Sequence, residues 1–337
     1  MPGKPFQSKL QPYENELREI LASGVGFRGA AQEINRRHGL DVSHNAVFSF
    51  LKSRPAPCAG RGLFYEGLPQ DICDQLLKRL AAEWTHESTA IEGNTLTLGE
   101  TVKILEFGLT IGGKPLRDHQ EVYGHARAID LIYEMVGRAL TREDLLALHR
   151  AVMPLSAVDS LRPVGDWKKD FNGTTGVVDG KSVYMEYAAP TDVPRLMERW
   201  LTDFNKTRPI HRPAQAVAAY LRAHLVFVRI HPFFDGNGRM ARLIANLPVL
   251  AAGFPPILVP MSRRSDYIDL LWRYQNAVDR IGRGSRLLPP HPALREFESL
   301  LLEEWQKSTS LVEEARQLAW QRPHYAKPQK NLASRSR

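Results

Sequence analysis

Between residues 231 and 242 the chain reads His-Pro-Phe-Phe-Asp-Gly-Asn-Gly-Arg-Met-Ala-Arg, the stretch that most restricts its fold. Pro232 disfavours helical dihedrals at the residue before it, so His231 falls at the end of whatever helix precedes it. Gly236 and Gly238 permit a tight turn and a close approach that side chains would block. Leu243, Ile244 and Leu247 then restore helical spacing. The stretch therefore predicts helix, tight loop, helix. The second helix opens its free N–H groups into the loop, which makes an anion site. Arg239 and Arg242 lie three apart, on one face of that helix, and suit a polyphosphate. Asp235 offers a carboxylate of the kind Mg2+ combines with substrate phosphates. His231 is a base that can take a proton near neutral pH.

Each part alone is ordinary: His-Pro is a loop, Gly-Asn-Gly a turn, two helical arginines a solvated face. Their conjunction is far more specific. The stretch resembles the signature of the Fic family, His-x-Phe-x-Asp/Glu-Gly-Asn-Gly-Arg-x-x-Arg, and matches it at every fixed position. The resemblance implies a protein adenylyltransferase that moves AMP from ATP to a Tyr, Thr or Ser hydroxyl of a target protein, with Mg2+ as cofactor. In those terms His231 is the catalytic base and Asp235 the metal ligand. Gly236, Asn237 and Gly238 hold the α-phosphate, and Arg239 and Arg242 grip the outer phosphates. Adenine as the base follows from the resemblance alone.

A second stretch, Ser88-Thr89-Ala90-Ile91-Glu92-Gly93-Asn94-Thr95, reads as a helix ending at Gly93. An acid in a last helical turn opposes the helix dipole, so Glu92 calls for a specific cationic partner. The segment resembles the Fic inhibitory motif, Ser/Thr-x-x-x-Glu-Gly/Asn, through Ser88, Glu92 and Gly93. That implies a Glu92–Arg242 pair that blocks placement of the nucleotide's γ-phosphate. Glu92 equally suits the reverse reaction, orienting a water to remove AMP, and the sequence does not separate the two.

The remaining pattern is helical, with one exception. Val177, Val183, Tyr184 and Tyr187 flank Asp179-Gly180, an Asp-Gly hairpin signal. By family resemblance the hairpin is a flap, with Val177, Val183 and Tyr184 docking an extended target segment through main-chain bonds; a decorative loop is the plainer reading. Tyr267, early in a helix, faces the nucleobase by analogy, or packs in the core. His224 reads as a core histidine. Pro248 should kink or shorten the helix after Arg242.

The expected fold is all-α, a mainly helical Fic fold with one β-hairpin flap, preceded by a small helix-turn-helix-like domain. Expected boundaries are 1–54 for that N-terminal domain, 55–67 for a linker and 68–320 for the catalytic domain. Within the last, the inhibitory helix lies near 84–94 and the core near 141–280; residues 321–337 form a basic tail. Residues 14–54 carry helix, glycine turn and a Ser43-capped helix, with Arg36, Arg37, His44, Asn45 and Lys52 placed to face DNA. A helical protein-interaction domain is the alternative, as is a DNA-binding regulator whose Fic-like part senses nucleotide. The net charge of +8 permits acidic partners without requiring them. Two cysteines suggest no disulfide framework and fit a reducing cytoplasm. No apolar run is long enough to span a membrane, and Met1–Leu10 lacks a signal-peptide core. A homo-oligomer is left open.

Overall fold

The computed structural model describes residues 9–22, 25–52, 62–153, 162–178, 180–206 and 209–322. The start of the proline-bearing arm, most of the expected linker, Asp179 of the hairpin turn and the basic tail from 323 lie outside them. The chain divides into two compact units, one of residues 1–61, 65–76 and 313–337, the other of 62–64 and 77–312.

In the first unit α1 (Glu14–Ala22), α2 (Phe27–His38) and α3 (His44–Lys52) enclose a small core that includes Leu17, Ile34, Val47 and Phe50. Gly39 ends α2 at φ 63°, a left-handed value suited to glycine. The Asn35 side chain braces the turn by donating to Val42 O and accepting from Val42 N, both at 3.0 Å. Ser43 Oγ accepts from Ala46 N at 3.2 Å and caps α3. The basic residues in the last turn of α2 are engaged with acids. Arg36 and Arg37 each reach Glu33 at 2.6 Å, Arg37 also reaches Glu16 at 2.9 Å, and His38 lies 2.6 Å from Glu16. Cys73 is buried and disulfide-bonded. The cysteine count therefore no longer argues for a reducing compartment; pairing depends on where the chain brings the two residues, which their number does not reveal.

Besides residues 62–64, the second unit takes in α4 (Gln70–Ile91) from Leu77 on and continues through α5 (Leu98–Phe107), α6 (Leu116–Met135) and α7 (Arg142–Val152). Capping boxes start α5 at Thr97 with Glu100 and α7 at Thr141 with Asp144. The strands β1 (Gly173–Val178) and β2 (Lys181–Glu186) pair antiparallel, with Thr175 opposite Tyr184 and Gly176 opposite Val183. After α8 (Val193–Phe204) comes α9 (Pro213–Ile230), whose second half is buried on every side, the mark of a central helix. Its Tyr220 and Leu225 form the core together with Leu270, Tyr274, Phe297 and Trp305.

The next helix, α10 (Asn237–Ile244), packs on α9, α6 and α7. Pro248 sits in the first turn of a separate short helix, α11 (Leu247–Ala251), so the helical path after Arg242 is broken as the proline predicts. Then follow α12 (Arg264–Ala277) and α13 (Ala293–Trp320). The architecture is all-α with one two-stranded hairpin, and among the described residues no helix is long and apolar enough to cross a membrane.

Candidate active site

His231 caps α9 with φ 52° and ψ 60°, the only non-glycine residue with positive φ among the described residues. The sequence placed it outside helical dihedrals; the extended conformation usual before proline gives way to a left-handed one. Such a conformation costs on the order of 1–3 kcal/mol and persists only where the surroundings hold it. Here they do. His231 Nδ1 lies 3.1 Å from Val228 O, and the ring stacks on Tyr187 with centroids 3.6 Å apart and planes at 1°. Gly236, at φ 77°, then begins α10.

The loop is fastened from several sides. Asn237 is buried, and its side chain accepts from Phe233 N at 3.0 Å and donates to Phe233 O at 2.8 Å. The family resemblance gives this side chain to the α-phosphate; in the structure it braces the loop. Asn172 Nδ2 donates to Phe233 O at 2.9 Å, and Lys168 N donates to Pro232 O at 2.9 Å. Below the loop, His149 stacks on Phe233 at 3.8 Å. Gly165 N donates to His149 Nδ1 at 2.8 Å, so the ring proton sits on Nε2 and is donated to Asp235 O at 3.1 Å. Sequence reasoning missed His149, Lys168 and Asn172 as parts of the site, since each lies far from the signature in no motif of its own.

Burial, then the Lys168 charge, lowers the His231 pKa to about 3, against the opposing effect of the Val228 carbonyl. The imidazole is therefore neutral at pH 7, with Nδ1–H directed to a carbonyl and Nε2 left unprotonated. Burial, with Arg280, brings Lys168 down to about 7, and its Nζ donates to Asn172 Oδ1 at 2.5 Å. Burial pushes Tyr187 up to about 12, while Thr174 and Gln275 bond its hydroxyl.

The two signature arginines meet different acids. Arg242 Nη2 donates to Glu92 Oε1 at 2.7 Å, and its side chain is 3% exposed against 38% for Glu92. Gly238 lies beside this pair, and a Cβ there would push Glu92 Oε1 aside. Arg239, also buried, lies 3.5 Å from Glu121, and its Nε has no hydrogen-bond partner among the described residues. Glu121 also accepts from Asn94 Nδ2 at 3.1 Å, so the segment after Glu92 is tied to the same acid that faces Arg239. Ser88 joins Arg242 as well, through Oγ at 3.0 Å and its carbonyl at 2.8 Å. Gly93, at φ 99°, ends the helix after Glu92. Asp235 is exposed, and its Oδ1 accepts from Gly236 N at 2.6 Å.

A cavity of ≈420 Å³ opens beside Tyr187, between β1 and α12. Thr175, Val177, Ile268, Trp272 and Gln275 line it. Gly176 lies so close to the Trp272 ring that a Cβ would overlap it, which is how the lone hairpin packs on the helical body. Val177 and Tyr184 are exposed and Val183 is half-buried. Tyr267 does not line this cavity. It is 1% exposed, and its hydroxyl lies 3.4 Å from Arg242 Nη1 and 2.8 Å from His224 Nε2. The nucleobase position assigned to it from sequence gives way to a core position, because α12 turns that residue inward and Ile268 toward the cavity.

Two further buried histidines set the acid stability. Burial, then Arg242, brings His224 down to about 3, and burial, then Arg242 and Arg239, holds His125 well below 6.5. Both pKa values rise on unfolding, so the unfolded chain binds more protons between the folded values and about 6.5. Stability from these groups is complete above that pH and is lost as pH falls below it. At pH 5.5 the expected loss is about 1.4 kcal/mol for each histidine relative to neutral pH. Urea unfolding at pH 7.5 and 5.5 measures it, and equal stabilities would contradict the neutral buried state.

A helical body, a strained histidine ahead of a glycine-framed helix start, and two buried arginines together make up the candidate site. Comparison with known proteins gives the class its name. Residues 139–249 match the model of the Fic/DOC family, so the chain carries a Fic/DOC domain. Protein adenylyltransferase fic-1 of Caenorhabditis elegans is 33% identical over 207 residues, which cover 57% of this chain and 37% of that protein. Protein adenylyltransferase Fic of Drosophila persimilis is 36% identical over 193 residues, 55% of this chain and 34% of its own length. The chain thus matches little more than a third of these relatives. A Fic domain containing signaling protein from Bacteroides thetaiotaomicron superposes with TM-score 0.61 at 26% identity, covering 73% of this chain and 92% of that one. Fic-1 of C. elegans, residues 134–508, shares the fold at 23% identity with TM-score 0.53, covering 92% of this chain and 86% of that one.

Proposed function

We propose that the protein is a protein adenylyltransferase, moving AMP from ATP to a Tyr, Thr or Ser hydroxyl of a target protein, and that Glu92 restrains it. The observation that carries the reading is the neutral His231, held with Nε2 free beside a helix start that carries Arg239 and Arg242. His231 Nε2 takes the proton of the target hydroxyl. The oxygen attacks the α-phosphorus, the bond to the bridging oxygen breaks, and pyrophosphate leaves. The backbone N–H of Gly238 receives the α-phosphate at the helix start, while that of Gly236 is taken by Asp235 Oδ1. Arg239 would meet the inner part of the pyrophosphate unit, and Arg242 the γ-phosphate.

Asp235 fits a Mg2+ ligand: its carboxylate is exposed at the helix start, one oxygen is fixed by Gly236 N, and phosphates would complete the shell. Bound there, the ion would neutralise charge developing on the phosphates. The cavity between β1 and α12 is sized for the nucleoside, and the exposed Val177 and Tyr184 offer the hairpin for pairing with an extended target segment. Incubation with ATP and Mg2+ followed by intact mass spectrometry tests the reading. The expected result is AMP added to the protein itself or to a target; nucleotide binding without any adduct would leave a binding module.

Removal of AMP is a second reading, favoured by one observation: Glu92 is 38% exposed and its Oε2 has no hydrogen-bond partner among the described residues, a place for a water. Binding of DNA through residues 14–54 draws less support, because Arg36 and Arg37 are already paired with Glu33 and Glu16.

A further inference from the structure

We propose that Tyr267 is a positioning residue which, together with Ser88, seats Arg242 for the γ-phosphate of ATP whether or not Glu92 is in place; this rests on the adenylyltransferase reading above. The Arg242 guanidinium makes four hydrogen bonds. Nε donates to Ser88 Oγ at 3.0 Å, Nη2 to Ser88 O at 2.8 Å and to Glu92 Oε1 at 2.7 Å, and Nη1 to Tyr267 OH at 3.4 Å. Three of the four do not involve Glu92.

The partners differ in kind. Ser88 and Tyr267 are buried, at 2% and 1% exposure, and are neutral. They orient the cation without cancelling its charge. Glu92 is the anion among the four and the most exposed, so it is the partner that can leave without disturbing the core. A buried cation deprived of its counter-charge is costly and gains strongly from a new anion in the same place. Glu92 therefore does not hold the arginine away from the nucleotide. It occupies the place where the γ-phosphate binds, on a guanidinium that stays fixed.

Behind Tyr267 the bonds run in one direction. Its hydroxyl accepts from Arg242, so its one proton goes to His224 Nε2 at 2.8 Å. His224 can accept because burial and the Arg242 charge keep it neutral. Arg242 thus donates to Tyr267 and Tyr267 to His224, a chain fixed in direction, in keeping with Tyr267 facing inward from α12 and leaving the cavity to Ile268 and Gln275.

The test measures ATP and ADP binding by calorimetry, with Mg2+, in three proteins: Glu92→Gly, Glu92→Gly with Tyr267→Phe, and Glu92→Gly with Arg242→Ala. Phenylalanine keeps the ring and removes only the hydroxyl. The expected result is that Tyr267→Phe weakens ATP by roughly tenfold, the scale of a lost hydrogen bond to a charged group, and leaves ADP unchanged. Retained ADP affinity also shows that the site is folded. An unchanged ATP-to-ADP ratio in Tyr267→Phe would overturn the proposal, as would equal weakening of both nucleotides, which marks a purely structural loss. If Arg242→Ala itself leaves the ratio unchanged, the assignment of Arg242 to the γ-phosphate fails, and the fault lies in the functional reading rather than in Tyr267.

Discussion

Replacing His231 with alanine is expected to lower AMP transfer by about 10²–10⁴-fold, the usual cost of losing a general base, while ATP binding persists. The expectation comes from the geometry of one ring. Nδ1 is directed to Val228 O at 3.1 Å, and Tyr187 stacks on the ring face at 3.6 Å. Only Nε2 remains for a substrate proton. The ring does not brace the fold, because Phe233, Asn237 and His149 carry that load in the same loop. The loss should therefore appear in the rate of transfer and not in thermal stability or nucleotide affinity. Transfer at the parental rate in a purified variant would remove His231 from its assigned role. Since burial and Lys168 hold its pKa near 3, the parental rate should also show no fall attributable to His231 protonation between pH 8 and 6.

Glu92→Gly is expected to accelerate transfer. Glu92 Oε1 sits 2.7 Å from a guanidinium that is itself almost fully buried, and the other partners of that guanidinium are neutral. An anion from the nucleotide must displace the carboxylate to be gripped. A bias of typical regulatory size, about 1–3 kcal/mol, corresponds to roughly 5–150-fold in activity. Glycine at this position costs little helix, since α4 ends at Ile91 and Glu92 lies in the turn beyond it. The gain should vanish when His231→Ala is added. Should the single variant transfer no faster, Glu92 is not a restraint, and its role in orienting water becomes the better reading.

Much of this was legible in the sequence where the determinants are local. The bounds of α5 follow from Thr97 with Glu100 at its start and Gly108 at its end, residues within one turn of the helix they fix. The hairpin follows from Asp-Gly between β-formers, and the break after Arg242 from Pro248. The site's spine was legible for the same reason, since twelve consecutive residues hold the base, the carboxylate and both arginines. What the sequence did not reveal depends on chain segments meeting in space. His149, Lys168, Asn172 and Tyr187 converge on the loop from positions 44 to 82 residues upstream of His231. Their contacts are with backbone carbonyls and ring faces, which leave no residue pattern. Tyr267 shows the other limit: an aromatic residue on a helix beside a nucleotide site can face the ligand or the core, and only the helix rotation decides.

The most direct measurement compares ATP labelled at the α-phosphate with ATP labelled at the γ-phosphate, each incubated with the Glu92→Gly protein and Mg2+. Transfer of AMP predicts protein-bound label from the α-phosphate alone, absent in the Glu92→Gly, His231→Ala double variant. Label from the γ-phosphate, or label from neither while both nucleotides bind, would contradict the account.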